Sequence, residues 1–110
     1  MILTSKEIRS IIPQGEKKIF DKEFVSPSDS EVREAVNEYM TTRIKDDDCD
    51  NRAFRMMVGM FGKQWAFGFA AITDHAICFY INDKKQMKFI EPLDGAEIDG
   101  KVELLLTILA

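Results

Sequence analysis

The sequence predicts an α+β fold in which helices pack on a small antiparallel β-sheet. Apolar residues recur at helical spacing between residues 26 and 62, and they alternate in the manner of strands between residues 64 and 110. Helices followed by a run of strands are typical of the α+β class. At 110 residues the chain fits a single domain, and residues 1–25 form an amino-terminal segment with a less regular pattern.

Composition disfavours several classes of function. Hydrophobic residues make up 45% and charged residues 31% of the chain, and no stretch approaches the roughly 20 apolar residues that span a bilayer. The opening residues lack the apolar core of a signal peptide, so we expect a cytoplasmic protein whose two cysteines are free thiols. A net charge of −4 disfavours nucleic acid as a partner, because phosphate attraction requires a clustered positive surface.

A short helix is predicted near the amino terminus, over Ser5–Ile11. Pro13 and Gly15 follow it at once, and residues of these two types interrupt regular structure. We therefore expect extended or irregular chain from there to residue 25.

A longer helix begins near residue 26, where the sequence offers two candidate caps. Ser26 could cap it with Pro27 at the favoured first position, or Ser28 could cap it with Glu31 at capping-box spacing. Either start gives the helix one apolar face, which we expect to pack inward and which comprises Val32, Ala35, Val36, Tyr39 and Met40.

A run of acidic residues separates this helix from the next one. Adjacent aspartates at positions 46–48 favour a helix boundary, because their short polar side chains compete with the helical backbone. The next helix carries Cys49 in its first turn, and Gly59 and Gly62 mark the neighbourhood of its end. Its apolar stripe comprises Cys49, Ala53, Met56, Met57 and Met60.

The first strand of the predicted sheet spans residues 64–72 and has two unlike faces. Large side chains occupy one face, and small residues, among them Gly68, occupy the other. A helix could approach the small face closely, although a glycine weakens a strand unless something packs against it. The large face comprises Trp65, Phe67, Phe69 and Ala71.

A hairpin is predicted to follow, with arms His75–Ile81 and Met87–Ile90 around residues 82–84. We expect Phe79 to lie opposite Met87, since this register places one apolar row on one side of the sheet, whereas a slip by one residue mixes charged and apolar residues. The same register places the histidine at position 75 directly opposite the glutamate at position 91. A last strand over residues 102–109 completes the sheet after two Asp-Gly turns.

The predicted hairpin brings together two residues that can carry chemistry. A carboxylate beside an imidazole fixes its tautomer and stabilises its charged form, which is how Glu91 would act on His75, the only histidine of the chain. Cys49, in a first helical turn, lies where backbone N–H groups and the helix dipole favour a thiolate. This order of residues on helix, strand and strand resembles papain-like architecture. It predicts a catalytic triad of Cys49 as nucleophile, His75 as base and Glu91 as orienting residue.

Other candidate groups are assigned to structure rather than chemistry. Cys78 falls on the strand face opposite the histidine, so we predict that it packs in the core. The aspartates at positions 46, 47, 48 and 50 could offer oxygen ligands to calcium, but they lack the glycine and distal glutamate of a twelve-residue calcium loop. No P-loop, dinucleotide fingerprint or zinc-type pairing of cysteine and histidine occurs in the sequence. We predict no cofactor from these residues.

Four short motifs resemble a known family. They are Asp48-Cys49-Asp50-Asn51, Trp65-Ala66-Phe67-Gly68, Asp74-His75-Ala76 and Phe89-Ile90-Glu91-Pro92. In this order they resemble small phage and prophage proteins related to the protease domain of a mushroom (Marasmius) agglutinin, over residues 46–92. The resemblance implies a papain-like fold, the same three site residues and, because the agglutinin is calcium-dependent, calcium as a cofactor. Asp74 and Leu93 depart from the family pattern, in which glycine and glutamine are usual. The segments around Cys49 and His75 also resemble bacterial cell-wall peptidases of the CHAP type, which rank second.

Two hypotheses of function follow from these residues. The first is a cysteine hydrolase of phage or prophage origin that acts on a peptide, isopeptide or related amide: Cys49 attacks, His75 transfers protons and Glu91 holds the imidazole. The second is a catalytically inactive papain-like module that engages a host protein through the aromatic residues of the strand over residues 64–72. Both predict a protein or peptide partner, and neither involves nucleic acid or a membrane.

Overall fold

The structure is a computed structural model that describes residues 1–43 and 48–110. Within these residues it contains three α-helices and eight β-strands, and a single 3₁₀ turn at Phe61–Lys63 follows the last helix. The elements in chain order are β1 (Ile2–Thr4), α1 (Ser5–Ile11), β2 (Glu16–Ile19), β3 (Glu23–Val25), α2 (Asp29–Thr42), α3 (Cys49–Gly59), β4 (Phe67–Ile72), β5 (His75–Ile81), β6 (Met87–Ile90), β7 (Glu97–Ile98) and β8 (Leu104–Leu109). The α+β class and the helix near the amino terminus are confirmed.

Six strands form the main sheet in the order β2-β8-β4-β5-β6-β7, and β1 pairs with β3 in a separate antiparallel ribbon. The prediction of a wholly antiparallel sheet is wrong, because β2 pairs parallel to β8, with Glu16 opposite Leu106. This pairing joins the two ends of the chain across the whole intervening fold. No local pattern in residues 12–25 indicates this pairing, so the sequence predicts only extended or irregular chain there.

The sheet has a hydrophobic core on each face. On one face, α2 and α3 pack against β4 and β5, and the buried cluster includes Val36, Met56, Phe67 and Phe69. On the other face, α1 and the β1–β3 ribbon cover a second cluster. That cluster includes Leu3, Ile8, Phe24, Ala66, Ala70 and Phe79. The predicted division of β4 into a large face and a small face is confirmed, and each face belongs to a different core.

Side-chain caps determine where the two longer helices begin. Ser28, not Ser26, caps α2: its hydroxyl accepts from the backbone N–H of Glu31, whose carboxylate accepts from the backbone N–H of Ser28. Ser26 is buried and donates to the carbonyl oxygen of Met1 instead. Asp48 caps α3 by accepting from the N–H of Asn51, so Cys49 is the first residue of that helix, as predicted.

Among the described residues, no helix is long and apolar enough to cross a membrane.

The hairpin of β5 and β6 differs from the predicted register by two residues. Ile81 lies opposite Met87 and Phe79 opposite Phe89, whereas the prediction placed Phe79 opposite Met87. A shift by two keeps every side chain on its expected face, so the apolar row is preserved. The difference arises at the turn, where Lys85 adopts the left-handed conformation (φ 60°) and the loop lies one residue later than predicted.

Two strand boundaries are also corrected. The strand predicted from residue 64 begins at Phe67, because Gln64 is left-handed (φ 58°) and ends the 3₁₀ turn. The strand predicted from residue 102 begins at Leu104. The short strand β7, which pairs with β6, was not predicted, since two residues carry no readable alternation.

Candidate functional site

His75 and Glu91 form a direct pair at the end of the sheet. The imidazole Nε2 lies 2.6 Å from the carboxylate Oε1 of Glu91, and both side chains are partly buried. In the observed register these two residues are diagonal rather than directly opposite, so the predicted pairing arises from a geometry different from the one expected. Because Nε2 is engaged, Nδ1 is the ring nitrogen that could bond a further group.

The backbone around Glu91 is fixed by a network of hydrogen bonds. Its carboxylate Oε2 accepts from the N–H of Leu93 at 3.2 Å, and its carbonyl accepts from the N–H of Gly95 at 2.8 Å. Two arginines of the α2 region donate to the same turn: Arg43 to the carbonyl of Leu93 at 2.9 Å, and Arg33 to that of Gly95 at 2.8 Å. The pair is therefore held by both the sheet and α2.

Cys49 begins α3, which packs on the face of β5 opposite to the one that strand alternation gives His75. It is half-buried and packs against the core cluster that includes Ala76 and Cys78, so its helix is anchored on β5. The described part of the chain shows no hydrogen bond between the Cys49 thiol and the imidazole of His75. The structure thus joins two of the three predicted site residues directly and places the third at the start of α3, which packs on β5.

Cys78 is a core residue, as predicted. It is fully buried, and its thiol donates to the carbonyl of Ala53 at 3.2 Å. Burial raises the pKa of the Cys78 thiol well above its ordinary value, and the negative charge of Glu91 raises it further. Cys78 is accordingly an unreactive internal reference for Cys49.

The acidic stretch before α3 lies only partly within the described residues. Asp46 and Asp47, two of the four candidate calcium ligands, fall outside them. Within residues 1–43 and 48–110, no group of three or more histidine, cysteine, aspartate or glutamate side chains is arranged to hold a metal ion. Calcium binding therefore stays a prediction.

A second candidate site was not predicted from the sequence. A groove of about 220 Å³ lies between α2 and the segment that leads into β4. Its floor includes Ala35 and the half-buried indole of Trp65, and the ammonium of Lys63 lies 5.1 Å from the centre of the indole ring. Three exposed carboxylates of α2 complete it, those of Glu31, Glu34 and Glu38.

The position of Trp65 follows from backbone contacts on either side of it. The N–H of Val25 donates to the carbonyl of Gln64, and the N–H of Ala66 donates to the carbonyl of Val25, both at 2.8 Å. These bonds hold residue 65 against β3 while the left-handed Gln64 redirects the chain. The tryptophan thus reaches the surface, whereas Phe67 and Phe69, which the sequence placed in the same contact surface, are buried.

The groove is electrostatically acidic. Among the described residues that line it, three carboxylates outnumber one ammonium group. Hydrogen bonds from Ser28 hold the pKa of Glu31 below its usual range, so this carboxyl remains ionised at neutral pH. Spacings of three and four residues place positions 31, 34 and 38 on one helical stripe. The sequence shows this stripe, but not that an aromatic ring from a distant segment lies beside it.

Comparisons with known proteins reveal a likeness in fold. No protein-family model matches the chain, and no curated protein matches it by sequence. The structure of a PSL1a-E64 complex is similar with a TM-score of 0.80 and 12% identity, over 98% of this chain and 51% of that one. The Polyporus squamosus lectin bound to the human-type influenza-binding epitope Neu5Acα2-6Galβ1-4GlcNAc is similar with a TM-score of 0.72 and 12% identity, over 98% and 49%. The chain thus spans about half the length of these lectin chains.

These findings correct the predicted relationship and function. The solved structures that share the fold are those of a lectin, which contradicts the assignment to phage and prophage papain-like proteins, and nothing in the comparisons supports a phage origin. The same finding contradicts both predicted functions, the cysteine hydrolase and the inactive module that engages a host protein. The single domain over residues 1–110 stays a prediction, because the matched chains are about twice as long.

Proposed function

We propose that this chain is a carbohydrate-binding domain that holds a sugar in the groove beside Trp65. The observation that carries the proposal is the half-buried indole on the floor of a groove lined by three carboxylates. A sugar ring offers an apolar face of C–H groups and a rim of hydroxyl donors. An aromatic face and ionised carboxylates are suitable partners for these two features.

The likeness in fold to Polyporus squamosus lectin supports this proposal. That lectin is bound to a sialylated epitope, and sialic acid carries a carboxylate. The groove of the present chain is acidic, so like charges disfavour such a ligand here. The proposed ligand is accordingly a neutral sugar. The cytoplasmic location predicted from the sequence remains a proposal.

Replacing Trp65 with alanine is expected to weaken binding of the neutral disaccharide Galβ1-4GlcNAc at least tenfold, because a central aromatic contact is lost. Trp65 is the only tryptophan, so its intrinsic fluorescence reports directly on occupancy of the groove in the native chain. Titration of native protein with this disaccharide and with Neu5Acα2-6Galβ1-4GlcNAc should show a fluorescence change with tighter binding of the neutral sugar. Binding of the Trp65→Ala variant is measured by calorimetry.

The matched control is Phe61→Ala, since Phe61 is an exposed aromatic residue (62% exposed) that lines a different cavity. Its affinity for sugar should equal that of the native chain. A panel of neutral and charged glycans that gives no fluorescence change and no heat of binding would overturn the proposal.

We also propose a second site, at which Cys49, His75 and Glu91 act together as a reactive thiol centre. The 2.6 Å contact between His75 and Glu91 favours it, since an oriented imidazole can accept the proton of a nearby thiol. In this second proposal the α+β fold is papain-like, with a cysteine at a helix start beside a histidine on the sheet. The proposal concerns capture of a ligand by the thiol and does not extend to hydrolysis.

Alkylation of Cys49 by iodoacetamide is expected to be at least a hundredfold faster than that of Cys78 in the same molecule, because Cys78 is buried and protonated. In this step the thiolate sulfur displaces iodide from the methylene carbon. The His75→Ala variant should slow labelling of Cys49 about tenfold. Intact mass and peptide mapping measure both rates.

E64, which forms a complex with PSL1a in the similar solved structure, serves as a second probe. Thermal melting and mass spectrometry with E64 should show a complex that Cys49→Ser abolishes and Cys78→Ser retains. Equal and slow labelling of the two cysteines, unaffected by His75→Ala, would show that Cys49 is only a packing residue.

A further inference from the structure

A third cavity lies on the opposite face of the sheet from α2 and α3. Its volume is about 540 Å³, within the range of about 300–1,000 Å³ that small-molecule sites occupy. Apart from Pro13, the apolar side chains in its wall come from the end of α1, from β6 and from the segment that enters β8. They are Ile11, Met87, Phe89, Val102 and Leu104.

The apolar wall of this cavity is incompletely covered by the protein itself. Four of its five side chains are only partly buried although they pack against the second core cluster, and the fifth, Leu104, is buried. An apolar ligand would complete their burial, which is favourable because it removes apolar surface from water. One hydrogen bond ties the two sides of this wall together: the side-chain amide of Gln14, which follows α1, donates to the carbonyl of Val102, which precedes β8, at 3.2 Å.

The charge at the rim indicates the polar end of the ligand. Among the described residues that line the cavity, Lys101 alone carries a charge. It follows Gly100, whose left-handed conformation (φ 92°) forms the turn before it. Asp99 and Glu103 are neighbours of Lys101 in sequence but do not line the cavity.

We propose that this cavity binds a free monocarboxylate with a linear apolar chain, whose tail contacts Phe89 and Met87 and whose carboxylate pairs with Lys101. An apolar wall with one ammonium group at its edge complements both ends of such a molecule. This site is independent of the groove beside Trp65 and of Cys49.

Decanoate, kept below its micelle concentration, is the probe, and the readout is NMR of backbone amides and methionine methyl groups in the full chain. Saturable shifts should centre on Met87, Phe89 and Val102. Lys101→Glu should weaken decanoate binding about tenfold, since an attraction becomes a repulsion at a solvent-exposed rim. Lys22→Glu, an exposed charge reversal away from the cavity, should leave the affinity unchanged.

Decyltrimethylammonium, which has the same tail and the opposite charge, should bind at least tenfold more weakly to the native chain than decanoate. The Lys101→Glu variant should reverse this order. The proposal is overturned if the shifts scatter over the surface, if the two probes bind equally, or if Lys101→Glu binds decanoate as tightly as the native chain.

Discussion

Replacing Gly68 with alanine is expected to lower the free energy of unfolding by about 3 kcal/mol, at the upper end of the range for overpacking a core. A Cβ atom at this position would overlap the carbonyl oxygen of Ile108 on β8 and would lie 2.9 Å from the ring of Phe79. The carbonyl belongs to the ladder between β4 and β8, in which Phe69 lies opposite Ile108, so it cannot move aside without disturbing the centre of the sheet.

Urea denaturation followed by circular dichroism measures this loss, and Gly62→Ala is its control. A Cβ at Gly62 would meet no atom within 4 Å, and its φ is not left-handed. The control should be neutral or slightly stabilising, because alanine restricts the unfolded chain more than glycine does. If both variants unfold at the same urea concentration, β8 does not pass as close to β4 as the structure places it.

Replacing Asp29 with alanine is expected to cost about 2 kcal/mol of stability, since two side-chain hydrogen bonds of about 1 kcal/mol each are lost. The carboxylate Oδ1 of Asp29 accepts from the hydroxyl of Tyr80 at 2.8 Å and from the amide of Asn82 at 3.1 Å. Tyr80 and Asn82 are both buried, so each donor loses a hydrogen-bond acceptor when the carboxylate is removed. Asn37→Ala, a change at an exposed position of the same helix, should alter stability by less than about 0.5 kcal/mol.

The contribution of Asp29 should depend on pH in a defined direction. Hydrogen bonds from Asn82 and then from Tyr80 hold the pKa of Asp29 below its usual value. A carboxyl whose pKa is depressed by folding stabilises the protein fully above the pKa of the unfolded chain, about 4, and this contribution is lost as the pH falls through the lower folded value. Burial raises the pKa of Tyr80, so its hydroxyl stays protonated throughout this range.

Denaturation of native and Asp29→Ala protein at several pH values tests this sign. The difference in stability should be constant between about pH 5 and pH 7 and should shrink below about pH 4. A difference that grows on acidification would contradict the assignment of an ionised Asp29 to this network.

Much of the local structure follows from short-range patterns in the chain. The capping box of Ser28 and Glu31 is a four-residue signal, and it begins α2 at one of the two starts that the sequence offers. The stripe that includes Ala53, Met56 and Met57 repeats at helical spacing, and it is the buried face of α3. These features can be predicted from the sequence because their physical causes, a side-chain cap and one apolar face, arise from residues that are close along the chain.

The candidate sites also combine features that follow from short-range patterns with features that depend on the tertiary structure. The proximity of His75 and Glu91 was predicted because a short hairpin connects them, although the reason given, direct opposition, was wrong by two residues. Burial of one face determines which side of a strand faces the core, but a shift by two satisfies it equally well. Turn geometry at Lys85 decides between such registers. Whether Cys49 acts with this pair remains a prediction.

The sequence by itself determined the α+β class, the neighbourhood in which each longer helix begins, the two faces of β4 and the burial of Cys78. Only the tertiary structure decided that β2 joins β8 in parallel, that Gly68 lies against a neighbouring carbonyl, and that Trp65 and the carboxylates of α2 share one groove. The physical reason is distance along the chain. Helix caps and strand alternation arise from neighbouring residues, whereas a pairing or a groove requires segments whose approach depends on how the entire core is packed.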